Sequence, residues 1–351
     1  MDHRLAIIGF GTVGRGLAEI LLAKGPELRQ RHGIEFSVVA VSDLLLGSVY
    51  NEEGLDLGQL LDLANRQQDI TTYPDGIKGW DSLRVIRESQ ADTVVEATYT
   101  DLKTGEPALS HFKAAFESGK HLVTTNKGPV ALRYRELAAL AAERGVRFLF
   151  EGTVMSGTPV LNLARLMLAG ATLNEISGIL NGTTNYILTE MEQDRSYSTA
   201  LKQAQELGYA EAQPDADVEG WDALAKVIIL ANVLFDTDLR VQDVPCKGIT
   251  SLTLEDIQQA AQAGLRWKLI GKVQRKKGSV TASVTPVAIP ESDPLAGIGG
   301  ATNALTFTTD LLGPVTIVGP GAGRLETGYA LLSDLLYISL GDVPRWSGIP
   351  M

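Results

Sequence analysis

A chain that opens RLAIIGFGTVGRGLAEILL has few folds available to it. A short apolar strand runs into Gly9-Phe10-Gly11-Thr12-Val13-Gly14 and then into an amphipathic helix. The G-x-G-x-x-G spacing between a strand and a helix is the fingerprint of a dinucleotide-binding turn. Gly9 permits the tight turn, Gly11 lets backbone approach a pyrophosphate, and Gly14 lets helix and strand pack closely. The helix start offers free N–H groups and a positive dipole to phosphate oxygens.

The next strand, Glu35–Ser42, ends at Asp43. An acidic residue at that tip accepts hydrogen bonds from ribose hydroxyls and disfavours a 2′-phosphate. No Lys or Arg stands between Asp43 and Asn65, so the chain leans towards NAD over NADP. Strands and helices then alternate: strand Thr93–Thr98, helix Pro107–Ser118, strand His121–Asn126, helix Tyr134–Arg144 and strand Val146–Phe150. That alternation predicts a Rossmann-like, doubly wound parallel sheet over residues 1–150. Ligands bind such sheets outside the carboxyl ends of the strands, which is where Thr98 and Lys127 fall.

The length of 351 residues fits more than one domain. A net charge of −11 argues against nucleic acid or an anionic membrane as partner. No apolar run reaches the ~18 residues that span a bilayer, and no signal segment precedes the first strand. The single Cys246 forms no internal disulfide and fits a reducing, cytoplasmic setting. The four histidines carry no metal-ligand spacing.

After Phe150 comes Glu151-Gly-Thr-Val-Met-Ser-Gly-Thr-Pro159, rich in small residues and turn formers, then a predicted helix Val160–Leu168. The loop either wraps its carbonyls around a cation or ligand or is a hinge. A strand Glu175–Leu180 runs into Asn181-Gly182-Thr183-Thr184-Asn185 at a helix start. Gly182 and Thr183 there either cap the helix or hold a substrate carboxylate. A helix Leu254–Ala263 precedes strands near Trp267–Val273, Val280–Val287 and Leu305–Asp310. No helix separates these later strands, so the sheet is expected to be largely antiparallel. Residues 151–312 thus read as a mixed α/β domain. The segment 313–351, with strand, Gly-rich turn (Gly321, Gly323) and helix Glu326–Ser339, reads as returning to the nucleotide domain.

Between these lies the stretch Gly208–Lys226, GYAEAQPDADVEGWDALAK. An acidic loop leads into a helix that is apolar nearly all round, hence buried. Asp222 and Lys226 sit one turn apart on it. Buried charges cost several kcal/mol each unless paired, so this pair is expected to line a cleft.

The motifs resemble the homoserine dehydrogenase family along nearly the whole chain: GFGTVGRG, TTNKGPVAL, EGTVMSGTPV, GILNGTTNYIL, GYAEAQPDADVEGWDALAK and the closing GPGAG. The resemblance implies NAD(P)-dependent interconversion of L-homoserine and L-aspartate 4-semialdehyde by a homodimer, with residues 151–312 as the catalytic and dimerisation domain. It places the proton-transfer lysine on Lys226, a second lysine at the reacting oxygen on Lys127, and substrate carboxylates on Glu211 and Asp222, with Gly182, Thr183 and Gly208 beside them. Cofactor contacts fall on Gly9 to Val13, Thr98, Lys127, Gly321 and Gly323. A structural sodium ion would be held by carbonyls of Glu151, Val154, Ser156 and Thr158, although Met155-Ser156 stands where glycines are more usual. The chain stops near the returning helix, so a regulatory ACT domain is not expected.

As general base, Lys226 must be neutral part of the time; burial and the ammonium of Lys127 across the cleft would both favour that. Two other readings stay open: a related amino-acid or semialdehyde dehydrogenase, and a non-catalytic NAD(P)-binding regulator. A thioester-forming enzyme would need a nucleophilic cysteine, and Cys246 has no histidine near it in sequence.

Overall fold

The computed structural model describes residues 2–341; the last ten residues of the expected 313–351 segment lie outside the described residues. The described chain forms two compact units, 2–157 with 323–341, and 158–322.

In the first unit seven strands, β1 (Asp2–Ile8), β2 (Glu35–Asp43), β3 (Gly47–Tyr50), β4 (Ile77–Lys78), β5 (Thr93–Glu96), β6 (His121–Thr124) and β7 (Phe148–Leu149), form one sheet ordered β4-β3-β2-β1-β5-β6-β7. β2, β1, β5, β6 and β7 run parallel, with crossovers through α1 (Thr12–His32), α3 (Ser82–Glu88), α4 (Ala108–Glu117) and α5 (Lys127–Glu143); α2 (Leu57–Asn65) lies between β3 and β4. The expected parallel sheet is present because its central strands, VVAV and TVVE, are β-branched and buried on both faces. The antiparallel edge β3–β4 was not expected: four and two residues are too short to show a period of two.

Helix α5 begins at Lys127 rather than at Tyr134. Asn126 caps it by accepting from the Gly128 N–H at 3.1 Å, and Pro129 is tolerated because the first turn needs no N–H. Arg133, at φ −142°, interrupts the helix and separates this opening from the expected one.

The second unit is a five-stranded antiparallel sheet, β8 (Leu173–Ile179), β9 (Leu265–Lys276), β10 (Ser279–Pro290), β11 (Thr302–Thr309) and β12 (Gly313–Pro320), ordered β10-β9-β8-β11-β12. β9 and β10 outrun their expected ends because Lys277 and Gly278, both at positive φ, close a two-residue hairpin whose twist matches the strands. Helices α6 (Gly182–Met191), α7 (Tyr197–Glu206), α8 (Asp215–Val218), α9 (Trp221–Leu234) and α10 (Leu254–Gln262) complete it. α9 packs on β9 and β10 and is buried from Ala223 through Asn232. The predicted helix Val160–Leu168 is largely a π-helical turn, Leu163–Met167.

The last helix, α11 (Arg324–Leu340), belongs to the first unit. Its Leu331, Leu332 and Leu335 share a core with Leu17 and Leu21 of α1. Two glycines let the helices touch: a Cβ on Gly16 would lie 2.1 Å from the Arg324 carbonyl, and one on Gly328 2.7 Å from Gly16. Among the described residues no helix is long and apolar enough to cross a membrane.

The close packing at the start of α1 sets a first prediction. A Cβ on Gly14 would meet the Gly9 carbonyl oxygen at 2.2 Å, and overpacking of this kind costs about 1–3 kcal/mol. Gly14→Ala is expected to lower the urea midpoint at unchanged slope and to weaken binding of the expected nicotinamide dinucleotide, as read by equilibrium unfolding and nicotinamide fluorescence.

Candidate active site

The first unit carries a cradle. Gly9 stands at φ 91°, and a Cβ there would lie 2.5 Å from the Ala97 carbonyl. Gly11, by contrast, meets nothing within 4 Å. It caps α1 with no side-chain hydrogen bond, and no acidic residue sits in the first turn. The N–H groups of that turn, at Thr12, Val13 and Gly14, have no intrahelical acceptor. Open space beside Gly11 and free donors at a helix start fit the pyrophosphate of a dinucleotide. Phe10 differs: its ring is buried, and its N–H donates to Asp43 Oδ2 at 2.8 Å. Asp43 Oδ1 accepts from Leu45 N at 2.9 Å and Leu46 N at 3.2 Å. Asp43 therefore ties the glycine turn to the tip of β2, in addition to any ribose contact.

At the ends of β5 and β6 stand Thr98, half-buried, and Asn126, buried. The Asn126 amide donates to the Tyr99 carbonyl at 3.0 Å and the Thr98 carbonyl at 3.3 Å. Lys127 is the first residue of α5 and half-buried. Glu151, Val154 and Ser156 line a buried loop in which Met155 and Ser156 take φ of 57° and 54°. The Glu151 N–H donates to buried Asp334 at 2.9 Å, and Ser156 Oγ lies 2.7 Å from Thr327 Oγ1. Gly323 caps α11.

The second unit gathers the chemistry-bearing groups. Lys226 is buried, and its Nζ donates to the Leu180 carbonyl at 2.6 Å and to Asp222 Oδ2 at 2.7 Å. An ammonium has three N–H bonds, so one direction is left for a ligand. Asn181 caps α6, its Oδ1 accepting from Thr184 N at 2.9 Å. Its Nδ2 donates to Asp222 Oδ2 at 3.0 Å and to Asp217 Oδ1 at 2.6 Å. Thr183 Oγ1 donates to the Tyr209 carbonyl at 2.5 Å and reaches Asp217 Oδ2 at 3.1 Å. The structure thus brings Lys226, Asp222 and Thr183 together and adds Asp217 and Asn181, which the sequence reading did not single out. Gly182 opens α6, and Gly208 follows α7 at φ 76°. Glu211 is exposed, outside this hydrogen-bonded cluster. Thr158 donates to the Pro320 carbonyl at 3.0 Å. Gly321 packs against Asn303, whose buried amide has no hydrogen-bond partner among the described residues.

Burial raises the Asp217 carboxyl above its ordinary value; the Asp222 charge adds to this, while hydrogen bonds from Asn181 and Thr183 and the charge of Lys226 oppose it. Among the described residues no group of three or more His, Cys, Asp or Glu could hold a metal ion.

Residues 159–336 match the family model described as homoserine dehydrogenase, and residues 9–151 the one described as homoserine dehydrogenase, NAD binding domain. The chain belongs to the homoserine dehydrogenase family. It is 49% identical over 338 residues to the NAD(+)-dependent homoserine dehydrogenase of Pseudomonas canavaninivorans, covering 96% of each chain. A homoserine dehydrogenase structure from Thiobacillus denitrificans aligns at TM-score 0.84 and 33% identity, over 97% of this chain and 73% of that one. A hyperthermophilic archaeal homoserine dehydrogenase in complex with NADPH aligns at TM-score 0.83 and 28% identity, over 97% and 98%. Homoserine dehydrogenases are NAD(P)-dependent oxidoreductases acting on a small molecule, and the open cradle at Gly11 fits such a cofactor.

The raised Asp217 carboxyl has a consequence for stability. Its folded value stands above its unfolded one, so ionising it costs folding free energy; the cost is absent below the unfolded value and grows as pH rises through the folded one. Asp217→Asn is expected to raise the thermal midpoint at pH 7 by on the order of 1–3 °C, with the gain gone near ~pH 4. Scanning calorimetry at the two pH values checks this.

Proposed function

We propose that this chain interconverts L-homoserine and L-aspartate 4-semialdehyde, with Lys226 moving the proton of the reacting oxygen. The observation that carries the reading is the hydrogen bonding of Lys226. Two of its N–H bonds are held by the Leu180 carbonyl and Asp222. The third position points the amine one way in both protonation states: it carries a proton for aldehyde reduction and a lone pair for alcohol oxidation. Bound nicotinamide supplies the hydride chemistry; the protein supplies placement and the proton. Asp222 orients Lys226. Asp217, Asp222 and Glu211 offer carboxylate oxygens to the substrate ammonium, and the α6 start at Gly182 and Thr183 receives the substrate carboxylate. Lys127, at the start of α5, serves the reacting oxygen as a second cation.

The first unit binds the dinucleotide at Gly9 to Gly14, Thr98, Lys127 and Gly323. NAD is favoured over NADP, because Asp43 stands at the β2 tip with no Lys or Arg before Asn65 to meet a 2′-phosphate. The NAD(+) dependence named for the Pseudomonas canavaninivorans relative supports this. The 151–158 loop holds a sodium ion through its carbonyls, and the working form is a cytoplasmic homodimer; both readings rest on the family resemblance.

Removing a positioned proton donor costs about 10²–10⁴-fold in rate. Lys226→Ala is therefore expected to lose that factor in kcat while still binding NADH, and Asp217→Asn to raise KM for homoserine more than it lowers kcat. Stopped-flow and steady-state absorbance at the nicotinamide band test both; full turnover by Lys226→Ala at every pH would remove the assignment. Sodium chloride is expected to raise the thermal midpoint above that in choline chloride of equal strength, as read by scanning fluorimetry.

A further inference from the structure

Glu96 ends β5, is completely buried, and takes no part in the proton transfer above. Its Oε1 accepts a hydrogen bond from the Thr98 hydroxyl, and His111 Nδ1 of α4 lies 3.3 Å from the same oxygen. Thr124 Oγ1 approaches its other oxygen at 3.4 Å and donates to its backbone carbonyl at 2.9 Å. Thr124 Oγ1 in turn accepts from the Asn126 N–H at 2.9 Å, so one buried carboxylate underlies both strand ends.

The direction of the Thr98 hydrogen bond matters. A hydroxyl has one hydrogen and two lone pairs. The hydrogen is turned inward, because the oxygen it meets is a carboxylate oxygen, which accepts. The Thr98 backbone carbonyl is engaged by Asn126. That same amide has its hydrogens on two carbonyls, and its 3.5 Å approach to Thr98 Oγ1 is long for a hydrogen bond. Thr98 is half-buried, so what it presents outward is acceptor capacity. It sits against the glycine turn: a Cβ on Gly9 would lie 2.8 Å from the Thr98 nitrogen.

We propose that Glu96 is a positioning residue that fixes the polarity of Thr98, so that the Thr98 hydroxyl accepts a hydrogen bond from the nicotinamide half of the cofactor and donates none to it. The ligand group selected is a donor, either the carboxamide N–H or a ribose hydroxyl. His111 and Thr124 hold the carboxylate in place for this. The inference rests on the dinucleotide-binding reading above.

The test is a double-mutant cycle on the full chain, read by NADH dissociation constant from nicotinamide fluorescence, without turnover. Thr98→Val is expected to weaken binding about 5- to 10-fold, one hydrogen bond's worth, and Thr98→Ser to retain it. Glu96→Leu, which frees the hydroxyl to rotate, is expected to weaken binding similarly in the wild-type background and not at all in the Thr98→Val background. Glu96→Gln keeps an acceptor oxygen and is expected to rescue binding. Should Glu96→Leu not fold, Glu96→Asp, which withdraws the carboxylate by one methylene, takes its place in the cycle. An analogue with acetyl in place of carboxamide identifies the donor: a loss of binding by the wild type alone names the amide, and equal binding the ribose hydroxyl. Losses that add across the two positions, or an unchanged dissociation constant in Glu96→Leu and in Glu96→Asp, would overturn the proposal. A wild-type chain that binds NADH but turns over no homoserine would refute the activity and leave this inference standing.

Discussion

One amide nitrogen, Nδ2 of Asn181, bonds two carboxylates at once: Asp217 at 2.6 Å and Asp222 at 3.0 Å. Like charges this close repel, and burial adds to this in raising the Asp217 carboxyl. The arrangement holds because the same asparagine is fixed from behind, its Oδ1 capping α6, and because the Lys226 ammonium neutralises Asp222 from the helix interior. Asn181 sits where β8 gives way to α6, so the sheet, the helix cap and the charged cluster share a single anchor.

The two acids held this way are not equivalent. Asp222 is paired with a cation on its own helix at a distance that makes a charge-assisted hydrogen bond. Asp217 has only neutral donors in direct contact, and its carboxyl is displaced upward by burial and by its neighbour. Such strain is typical of groups that await a partner. The same logic governs the first unit, where Asp43 and Glu96 each spend carboxylate oxygens on protein donors so that glycine turn and strand ends keep their shape.

Much of this was legible from residues alone. The β1–turn–α1 unit shows in the glycine spacing because steric demand at Gly9 and Gly14 is a local, backbone effect. The Asp222–Lys226 pair shows because helical periodicity sets both on one face. Asp217 escaped because it lies in the short α8, ahead of α9, where no shared helical period relates it to Asp222. The signal that could have found it is the run of carboxylates close before a buried lysine. Glu96 escaped for another reason: TVVEAT reads as an ordinary strand end, and its partners His111 and Thr124 lie on other elements. The β3–β4 edge and the opening turns of α5 were hidden by brevity and by Pro129, which argues against a helix unless Asn126 is recognised as its cap.

The meeting of α1 and α11 through Gly16 and Gly328 has an effect on how the molecule comes into being. The described part of the first unit draws on two separate segments, 2–157 and 323–341, with the second unit between them in sequence. During synthesis its apolar face, Leu17 and Leu21 among others, therefore waits uncovered until Leu331, Leu332 and Leu335 have left the ribosome. The nucleotide-binding half is the earlier one to be translated and the later one to be finished.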